Sequence, residues 1–240
     1  MKWILSFLAA PSVGLLLSAG LLLSAGSLST AQAEDKTDSS KTEASKTAAS
    51  AADEWMPLFD GKTLTGWKAS EHPEQWKVVD GTIVASGPRS HLFYIGADES
   101  KPAEFLNFHI KADVMTRPGS NSGIFIHTRY QAEGWPTQGY EVQVNNSHGD
   151  PVRTGSLYFV VKIFEAPAKD DTWFTQEVIV KGKSITVKVD GRTLYEYDEP
   201  EGVVGPHRLS KGTFALQAHD PKSTTFYKNV MVKRLPDTKP

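Results

Sequence analysis

The sequence contains no cysteine, which excludes disulfide bridges, thiolate metal sites and a cysteine nucleophile. It also has no excess of basic residues, because the formal net charge is -2 and the isoelectric point is near 6.4. No electrostatic argument therefore supports a nucleic-acid partner. Past the N-terminal region, no segment shows a sustained helical stripe of apolar residues. Phosphate-binding loops, G-x-S-x-G nucleophile elbows and H-E-x-x-H zinc motifs are also missing.

Charge is scarce at the N-terminus, where Lys2 is the only charged residue before Glu34. An apolar run with a doubled LLLSAG follows Lys2, and AQA at 31–33 fits the small-x-small rule for signal-peptidase cleavage. We therefore predict a signal peptide over 1–33 and export to a bacterial periplasm or the exterior, with no stable membrane insertion after cleavage. The apolar run is long, so an uncleaved membrane anchor is the alternative.

The rest of the chain divides into a short polar stretch and one predicted domain. Residues 34–53 are polar, low in complexity and free of aromatic residues, which predicts a flexible linker. Within 54–237, many short segments alternate apolar and polar residues, and Asp-Gly pairs at 80–81 and 190–191 are hairpin signals. This pattern predicts an all-β fold, an antiparallel sandwich or jelly roll, with 156–161 among its strands.

Three of the predicted strands, 121–129, 140–144 and 213–219, each carry one apolar face and one polar face. The core of a sandwich takes the apolar faces, so the polar faces are either ordinary surface or a concave ligand-binding groove. Taken singly, each polar residue is most often ordinary surface. Together they are mostly planar or titratable groups, a mixture that suits carbohydrate hydroxyls. These residues are Asn121, His127, Arg129, Glu141, Gln143, Gln217 and His219.

The same region offers aromatic side chains and candidate metal ligands. Trp135 and Tyr158 are available to stack on the apolar face of a sugar ring. Glu141, His148 and Asp150 could instead form an oxygen-rich metal site, but they lack a recognised ligand spacing. We therefore predict no cofactor and leave a divalent cation such as calcium as the open alternative.

The segment EYDEPE at 196–201 has the carboxylate spacing of a jelly-roll glucanase signature. That chemistry requires two carboxylates on the same face of a strand. Pro200 interrupts the segment, and the centre of a strand rarely tolerates proline. We therefore interpret the match as accidental.

Several short blocks recur in a familiar order between residues 55 and 235, among them PLFDGKTLTGWK, NSGIFIH, GYEVQV, GSLY, FALQAH and FYKNVMVKRL. Together they resemble the 3-keto-disaccharide hydrolase domain family. The resemblance implies a concanavalin A-like jelly roll, typically exported, acting on glycosides whose sugar carries a 3-keto group. Two positions depart from the family pattern. Phe174 follows Trp173 where asparagine is usual, and Asp220 follows the LQxH histidine where glycine is frequent.

The chemistry implied by the resemblance is elimination at C2 and C1 followed by addition of water. It requires a base, an acid for the leaving oxygen and a donor for the enolate oxygen. We expect Glu141 or His127 to be the base and His219 to be the acid or a substrate donor. The alternative is a non-catalytic carbohydrate-binding module of the same fold, which needs no acid–base pair. The expected substrate-binding residues are Asn121, Arg129, Gln143, Gln217, Tyr158 and Trp135.

Overall fold

The structure is a computed structural model that describes residues 54–237. The predicted signal peptide at 1–33 and linker at 34–53 lie outside the described residues and stay predictions. No helix within 54–237 is long and apolar enough to cross a membrane.

Thirteen strands and one short 3-10 helix, Pro73–Gln75, form the described part of the chain. The hairpin turns predicted at Asp80 and Asp190 are present, and both residues have positive φ, as the two central residues of such a turn require. The strands are β1 Met56–Pro57, β2 Trp67–Ala69, β3 Trp76–Val79, β4 Thr82–Ser86, β5 Ser90–Tyr94, β6 Phe108–Thr116, β7 Asn121–Thr128, β8 Tyr140–Asn145, β9 Phe174–Lys181, β10 Ser184–Val189, β11 Arg192–Asp198, β12 Thr213–Ala218 and β13 Thr224–Arg234.

The strands form two antiparallel sheets. The eight-stranded sheet has the order β11-β10-β9-β6-β13-β4-β3, with β1 paired to β13, and the five-stranded sheet has the order β2-β5-β12-β7-β8. One hydrophobic cluster contains Phe108 and Val178 of the larger sheet together with Ile124 and Leu216 of the smaller one. The sheets therefore pack face to face, and the prediction of an all-β antiparallel sandwich is confirmed.

The core lies between the sheets because every second side chain of β7, β8 and β12 is apolar and points inward. Two tryptophans complete the core without leaving their indole N–H groups unpaired. Trp67 Nε1 donates to the Leu58 carbonyl at 2.6 Å, and Trp76 Nε1 donates to Ser90 Oγ at 2.9 Å. The inward residues of the smaller sheet include Ile124, Ile126, Tyr140, Val142, Val144, Phe214, Leu216 and Ala218.

The pairing of β7 with its two neighbours sets the rows of side chains on the outer face of the smaller sheet. Gly123 of β7 is opposite Gln143 of β8, and Phe125 is opposite Glu141. On the other side of β7, Phe125 is opposite Ala215 of β12. The outer residues of β8 and β12 therefore lie on either side of β7, and Gly123 leaves a gap between them.

A β-bulge at His127 interrupts the alternation of β7 and corrects the face predicted for this residue. The pairing with β12 slips by one residue between Phe125 and Thr128, and His127 has φ 52°. Its side chain therefore points between the sheets, where its ring meets Phe108 edge-on at a centroid distance of 5.3 Å. Strict alternation would have placed it on the outer face.

Glycines on both sides make room for the bulge. A Cβ atom at Gly139 would lie 2.0 Å from the Ile126 carbonyl oxygen. A Cβ atom at Gly212 would lie 2.5 Å from the Thr128 carbonyl oxygen. Because the crowding atoms belong to the backbone, they cannot rotate out of the way, and the bulge requires glycine at both positions.

The prediction of a strand at 156–161 is wrong. This stretch forms turns and isolated bridges, one of which joins Leu157 to Val142. It belongs to a longer stretch, residues 154–161, that runs along the outer side of β8 and that we call the edge segment. Because β8 is the last strand of its sheet, the edge segment supplies partners for backbone groups that would otherwise face solvent.

Replacing Gly212 by alanine is expected to lower the free energy of unfolding by about 1–3 kcal/mol, because the added methyl group would collide with the bulge. Urea denaturation measures the change. Gly149→Ala is the control, since a Cβ atom there would meet nothing within 4 Å, and its effect should stay below about 0.5 kcal/mol. Equal losses in the two variants would contradict the crowding at the bulge.

Candidate active site

A cleft of about 620 Å³ lies over the outer face of the smaller sheet. The strands β7, β8 and β12 supply its floor, and loops supply its walls. The structure brings seven of the nine predicted site residues to this cleft. They are Asn121, Trp135, Glu141, Gln143, Tyr158, Gln217 and His219.

Glu141 reaches across β7 through the gap at Gly123. A Cβ atom at Gly123 would lie 2.3 Å from Glu141 Oε1, so the carboxyl group lies directly over this glycine. From there, Oε1 accepts a hydrogen bond from Gln217 Nε2 at 3.0 Å. In its better-satisfied amide orientation, Gln143 also donates to Oε1 at 3.2 Å and to the Ser122 carbonyl at 3.3 Å. Two amides therefore hold the carboxyl group in place.

Burial raises the pKa of Glu141 to about 8, because the surroundings disfavour the charged carboxylate. The hydrogen bond from Gln217 lowers this pKa, and the negative charge of Asp150 raises it further. Glu141 is therefore mostly protonated at neutral pH. A pKa this close to neutrality suits a group that transfers protons.

His219 lies just beyond the end of β12 and lines the same cleft. Its Nδ1 is 2.9 Å from Asp220 Oδ2. Since an ionised carboxylate only accepts hydrogen bonds, Nδ1 is the donor and carries the proton. Among residues 54–237, no group hydrogen-bonds to the opposite ring nitrogen, Nε2. His219 therefore has one nitrogen engaged and one available.

Trp135 forms a wall of the cleft and is 44% exposed. Its ring lies 5.2 Å from the ring of His219, and the Arg89 guanidinium lies over it at 5.3 Å. Gln131 fixes the loop, because its Nε2 donates to the Trp135 carbonyl at 2.7 Å. An exposed, immobilised indole is the kind of surface on which the apolar face of a sugar ring packs.

Tyr158 enters the cleft from the edge segment. Its hydroxyl donates to Asp150 Oδ2 at 3.1 Å, and its backbone N–H donates to the Glu141 carbonyl at 2.9 Å. Burial, reinforced by the bond to Asp150, raises the pKa of the phenol above its ordinary value. Tyr158 therefore stays a neutral hydroxyl group tied to the backbone of Glu141.

An apolar rim continues the cleft beyond these polar groups. It consists of Phe159, Val160, Tyr197 and Val203. Phe159 is 80% exposed and has φ 67°, a left-handed conformation that is uncommon for a bulky residue. Its ring packs edge-on against Tyr158 at a centroid distance of 4.4 Å.

A comparison with known protein families accounts for this combination of fold and cleft. The family model described as the 3-keto-alpha-glucoside-1,2-lyase-like domain matches residues 54–233, which is 180 of 240 residues. The chain belongs to this family. The resemblance noted in the sequence is thereby confirmed, and the family indicates a glycosyl-hydrolase-like, carbohydrate-active domain.

Individual relatives of this domain are more distant. A Bacteroides thetaiotaomicron protein named 3-keto-disaccharide hydrolase is 34% identical over 79 residues, a match that covers 31% of this chain and only 27% of the relative. A structure from Parabacteroides distasonis, provisionally named a glycosyl hydrolase, has a TM-score of 0.65 at 22% identity and covers 77% of this chain and 96% of its own. A Bacillus subtilis carbohydrate-binding module has a TM-score of 0.52 at 14% identity, with coverages of 70% and 96%. These two structures share the fold.

Two predicted site residues lie away from the cleft. His127 is buried, its Nε2 donates to the Leu106 carbonyl at 2.9 Å, and its Nδ1 accepts the Ser210 N–H at 3.2 Å. Burial lowers its pKa, which makes it a neutral structural residue. The side chain of Arg129 is 64% exposed and lies 3.8 Å from Glu104. The bulge separates both residues from the polar face on which alternation had placed them.

The carboxylates of the glucanase-like segment also lie elsewhere. Glu196 and Asp198 are exposed on β11 of the larger sheet, and Glu201 pairs with Lys183 at 2.5 Å. None of the three lines the cleft. Their spacing has no counterpart in the site, in agreement with an accidental match.

A potential metal-binding group lies beside the cleft, where ligand atoms of His148, His219 and Asp220 are within 4.8 Å of one another. His148 Nδ1 accepts the Asp150 N–H at 3.0 Å, so the proton of this ring is on Nε2, which lies 3.7 Å from Asp220 Oδ2. A metal at Nε2 would move the proton to Nδ1, where it would oppose the Asp150 N–H. The group therefore fits hydrogen bonding better than metal binding. Glu141, part of the set considered from the sequence, is not a member.

Gly123 shapes the cleft, and it is not among the residues predicted for the site. A glycine within an otherwise apolar strand pattern often marks a close approach of another group. That signal was present at 123, but it gave no indication that the approaching group is the carboxyl of Glu141.

The raised pKa of Glu141 predicts a pH-dependent stability. Between pH 4.5 and about pH 8, the folded protein keeps this proton whereas the unfolded chain loses it. The stability that this group contributes is therefore fully present below pH 4.5 and is lost as pH rises through 8. Glu141→Gln removes the cost of ionising a buried carboxyl group. Its free energy of unfolding, relative to that of the original protein, should therefore increase by about 1–3 kcal/mol from pH 5 to pH 9, a range discounted for water in the cleft. Urea denaturation at both pH values measures it. A difference that does not change with pH, or an equal gain in the exposed control Glu196→Gln, would contradict the assignment.

Proposed function

We propose that this domain cleaves glycosides whose sugar ring carries a ketone at C3, by elimination across C2 and C1 followed by hydration. The observation that carries the proposal is the presence in one cleft of a protonated carboxyl group, Glu141, and an imidazole with an available nitrogen, His219. Membership of the 3-keto-alpha-glucoside-1,2-lyase-like family supports this choice of substrate.

A ketone at C3 makes this chemistry accessible to proton transfer alone. It acidifies the hydrogen on C2, because the resulting negative charge is shared with the ketone oxygen. Loss of that proton forms an enolate, which expels the oxygen on C1 and leaves a double bond between C1 and C2. Water then adds at C1, and the net result is hydrolysis. An acid and a base are needed, together with donors for the enolate oxygen.

The carboxylate count of the cleft favours this route over ordinary glycoside hydrolysis. Conventional glycosidases use two carboxyl groups, about 5–5.5 Å apart for retention and about 6.5–9.5 Å apart for inversion. Among the described residues that line the cleft, Glu141 is the only carboxylic acid, and the neighbouring carboxylates of Asp150 and Asp220 are hydrogen-bonded to Tyr158 and His219. His219 is therefore the natural second partner, and the reaction needs a substrate that an acid and an imidazole can cleave.

The other polar residues suit recognition of the sugar. Asn121, Gln143 and Gln217 present amide groups that can donate to and accept from hydroxyl groups or the keto oxygen. Trp135 offers an indole face for the apolar side of the ring. The apolar rim, with Phe159 at its most exposed point, leaves room for the departing group.

We also propose that the domain works in the periplasm or outside the cell, as the predicted signal peptide implies. Expression of the full chain in a secreting bacterium should give an exported product whose N-terminal residue is Glu34, because AQA ends at residue 33. N-terminal sequencing of the exported fraction measures this. Full-length protein retained in the membrane fraction would support the anchor instead.

The proposed reaction can be tested directly on the purified chain. We expect cleavage of a 3-keto-disaccharide and no cleavage of the unoxidised disaccharide, with NMR used to identify the products. In deuterated water, elimination and hydration should place deuterium at C2 of the released 3-keto sugar, beyond the level in an enzyme-free control. Tight binding of the keto sugar without cleavage would support the carbohydrate-binding module. Cleavage with no deuterium at C2 and no kinetic isotope effect for substrate deuterated at C2 would exclude elimination.

Glu141→Gln is expected to reduce kcat on the 3-keto-disaccharide by at least about 100-fold, because the amide cannot transfer the proton. It keeps an oxygen to accept the bond from Gln217, so folding should be preserved. Circular dichroism checks folding, and steady-state kinetics measures kcat. Glu196→Gln, which changes an exposed carboxylate outside the cleft, should retain the activity of the original protein. Full activity in the Glu141 variant would contradict its role.

A further inference from the structure

Asp220 accepts hydrogen bonds from the adjacent His219 and from two residues of the turn that follows it. Its Oδ2 accepts from His219 Nδ1 at 2.9 Å and from Ser223 Oγ at 2.6 Å, and its Oδ1 accepts from the Lys222 N–H at 2.8 Å. Burial on its own would raise the pKa of Asp220, but the bonds from Ser223 and His219 outweigh it and the pKa lies below its ordinary value. The side chain is therefore a carboxylate at neutral pH.

The position of this carboxylate is fixed by the sheet. Ser223 Oγ, which donates to Asp220, accepts the backbone N–H of Asn121 at 2.8 Å, where β7 begins. The Ser223 N–H closes a turn by donating to the Asp220 carbonyl at 3.0 Å. Asp220 therefore cannot swing away from His219 without breaking contacts to the strand that forms the cleft floor.

A fixed anion at Nδ1 determines which nitrogen of His219 can act as a base. Neutral imidazole carries one proton, and a neighbouring carboxylate keeps that proton on the nitrogen it faces. The lone pair is then on Nε2. The anion also stabilises the imidazolium that forms when Nε2 takes up a proton.

We propose that Asp220 is a positioning residue that makes His219 the base of the reaction and leaves Glu141 as the acid. This inference rests on the proposed function and refines it, because the sequence analysis had expected Glu141 or His127 to be the base.

The assignment gives a balanced proton cycle. His219 Nε2 takes the proton from C2, and the C–H electron pair forms the enolate. The bond from C1 to the leaving oxygen breaks with its electron pair, and that oxygen takes the proton of Glu141. The proton on His219 Nε2 exchanges with solvent while the intermediate is bound. When water adds at C1, the Glu141 carboxylate takes a proton from the water and His219 protonates C2. Both side chains end in their starting states.

The other charged and titratable groups around His219 leave Asp220 as its contacting anion. His148 lies with its ring 5.4 Å from that of His219 and turns its Nε2 proton towards the same carboxylate. The His91 imidazole and the Arg89 guanidinium both lie against the ring of Trp135. Glu141 lies on β8, on the other side of β7.

Asp220→Asn tests the proposal. Its oxygen can still accept the Lys222 N–H, but its amide nitrogen would donate to His219 Nδ1 and move the ring proton to Nε2. We expect kcat on the 3-keto-disaccharide to fall by about 10²–10⁴-fold, with a small change in KM. The loss of kcat should accompany the change of tautomer at His219, because the lone pair would then be on Nδ1 rather than on Nε2. The alkaline limb of kcat/KM, which reports the Glu141 proton, should stay in place.

Asp98→Asn is the matched control, since Asp98 accepts from the backbone N–H and the hydroxyl of Ser100 in a similar turn away from the cleft. It should leave kcat and the pH profile unchanged. A loss of kcat in the Asp220 variant with the His219 proton still on Nδ1 would reduce Asp220 to a structural role and overturn the proposal.

A second measurement does not depend on turnover. Long-range proton–nitrogen NMR of the full chain should show His219 with its proton on Nδ1, and Asp220→Asn should move it to Nε2. A proton on Nε2 in the original protein would overturn the inference. So would activity that is lost on chelation and restored by a divalent cation, because the same side chains would then be metal ligands. Failure of the original protein to cleave any 3-keto substrate would count against the proposed function, whereas cleavage with an unchanged Asp220 variant would count against this inference alone.

Discussion

The cleft depends on one close approach, that of the Glu141 carboxyl group to the backbone of Gly123. Any side chain at 123 would fill the space through which Glu141 reaches Gln217 on the far side of β7. The approach also takes the carboxyl group out of bulk water, which is why it holds its proton near neutral pH. Strand pairing fixes the distance between β8 and β12. The hydrogen bond from Gln217 to Glu141 therefore depends on the same spacing as the sheet.

Alternation predicted much of the fold, because burial of one face imposes a period of two on a strand. Along β8 and β12 it correctly separated inward residues such as Val142 and Leu216 from outward ones such as Gln143 and Gln217. It failed at His127, where the bulge depends on backbone crowding between segments far apart in the sequence. Periodicity within one strand contains no information about such crowding.

The site residues on strands were predictable, because side-chain chemistry and strand alternation agreed. Residues whose position depends on a loop or on one contact were less predictable. Tyr158 reaches the cleft even though its segment is not the predicted strand, because the turns of the edge segment hold it against Glu141. The sequence singled out Asp220 only because it follows the LQxH histidine. Its contact with His219 depends on the turn that Ser223 and Lys222 close, and this geometry becomes visible only in three dimensions.

The edge segment also affects how the protein behaves among other molecules. A terminal strand with free N–H and C=O groups is a template onto which a strand of another chain can add, and this is a common start of aggregation. On β8 the edge segment already occupies such groups, as in the bond from the Tyr158 N–H to the Glu141 carbonyl. The strand that bears the buried carboxyl group of Glu141 is thereby protected from pairing with a strand of another chain. The same contacts therefore limit aggregation and hold the cleft in shape.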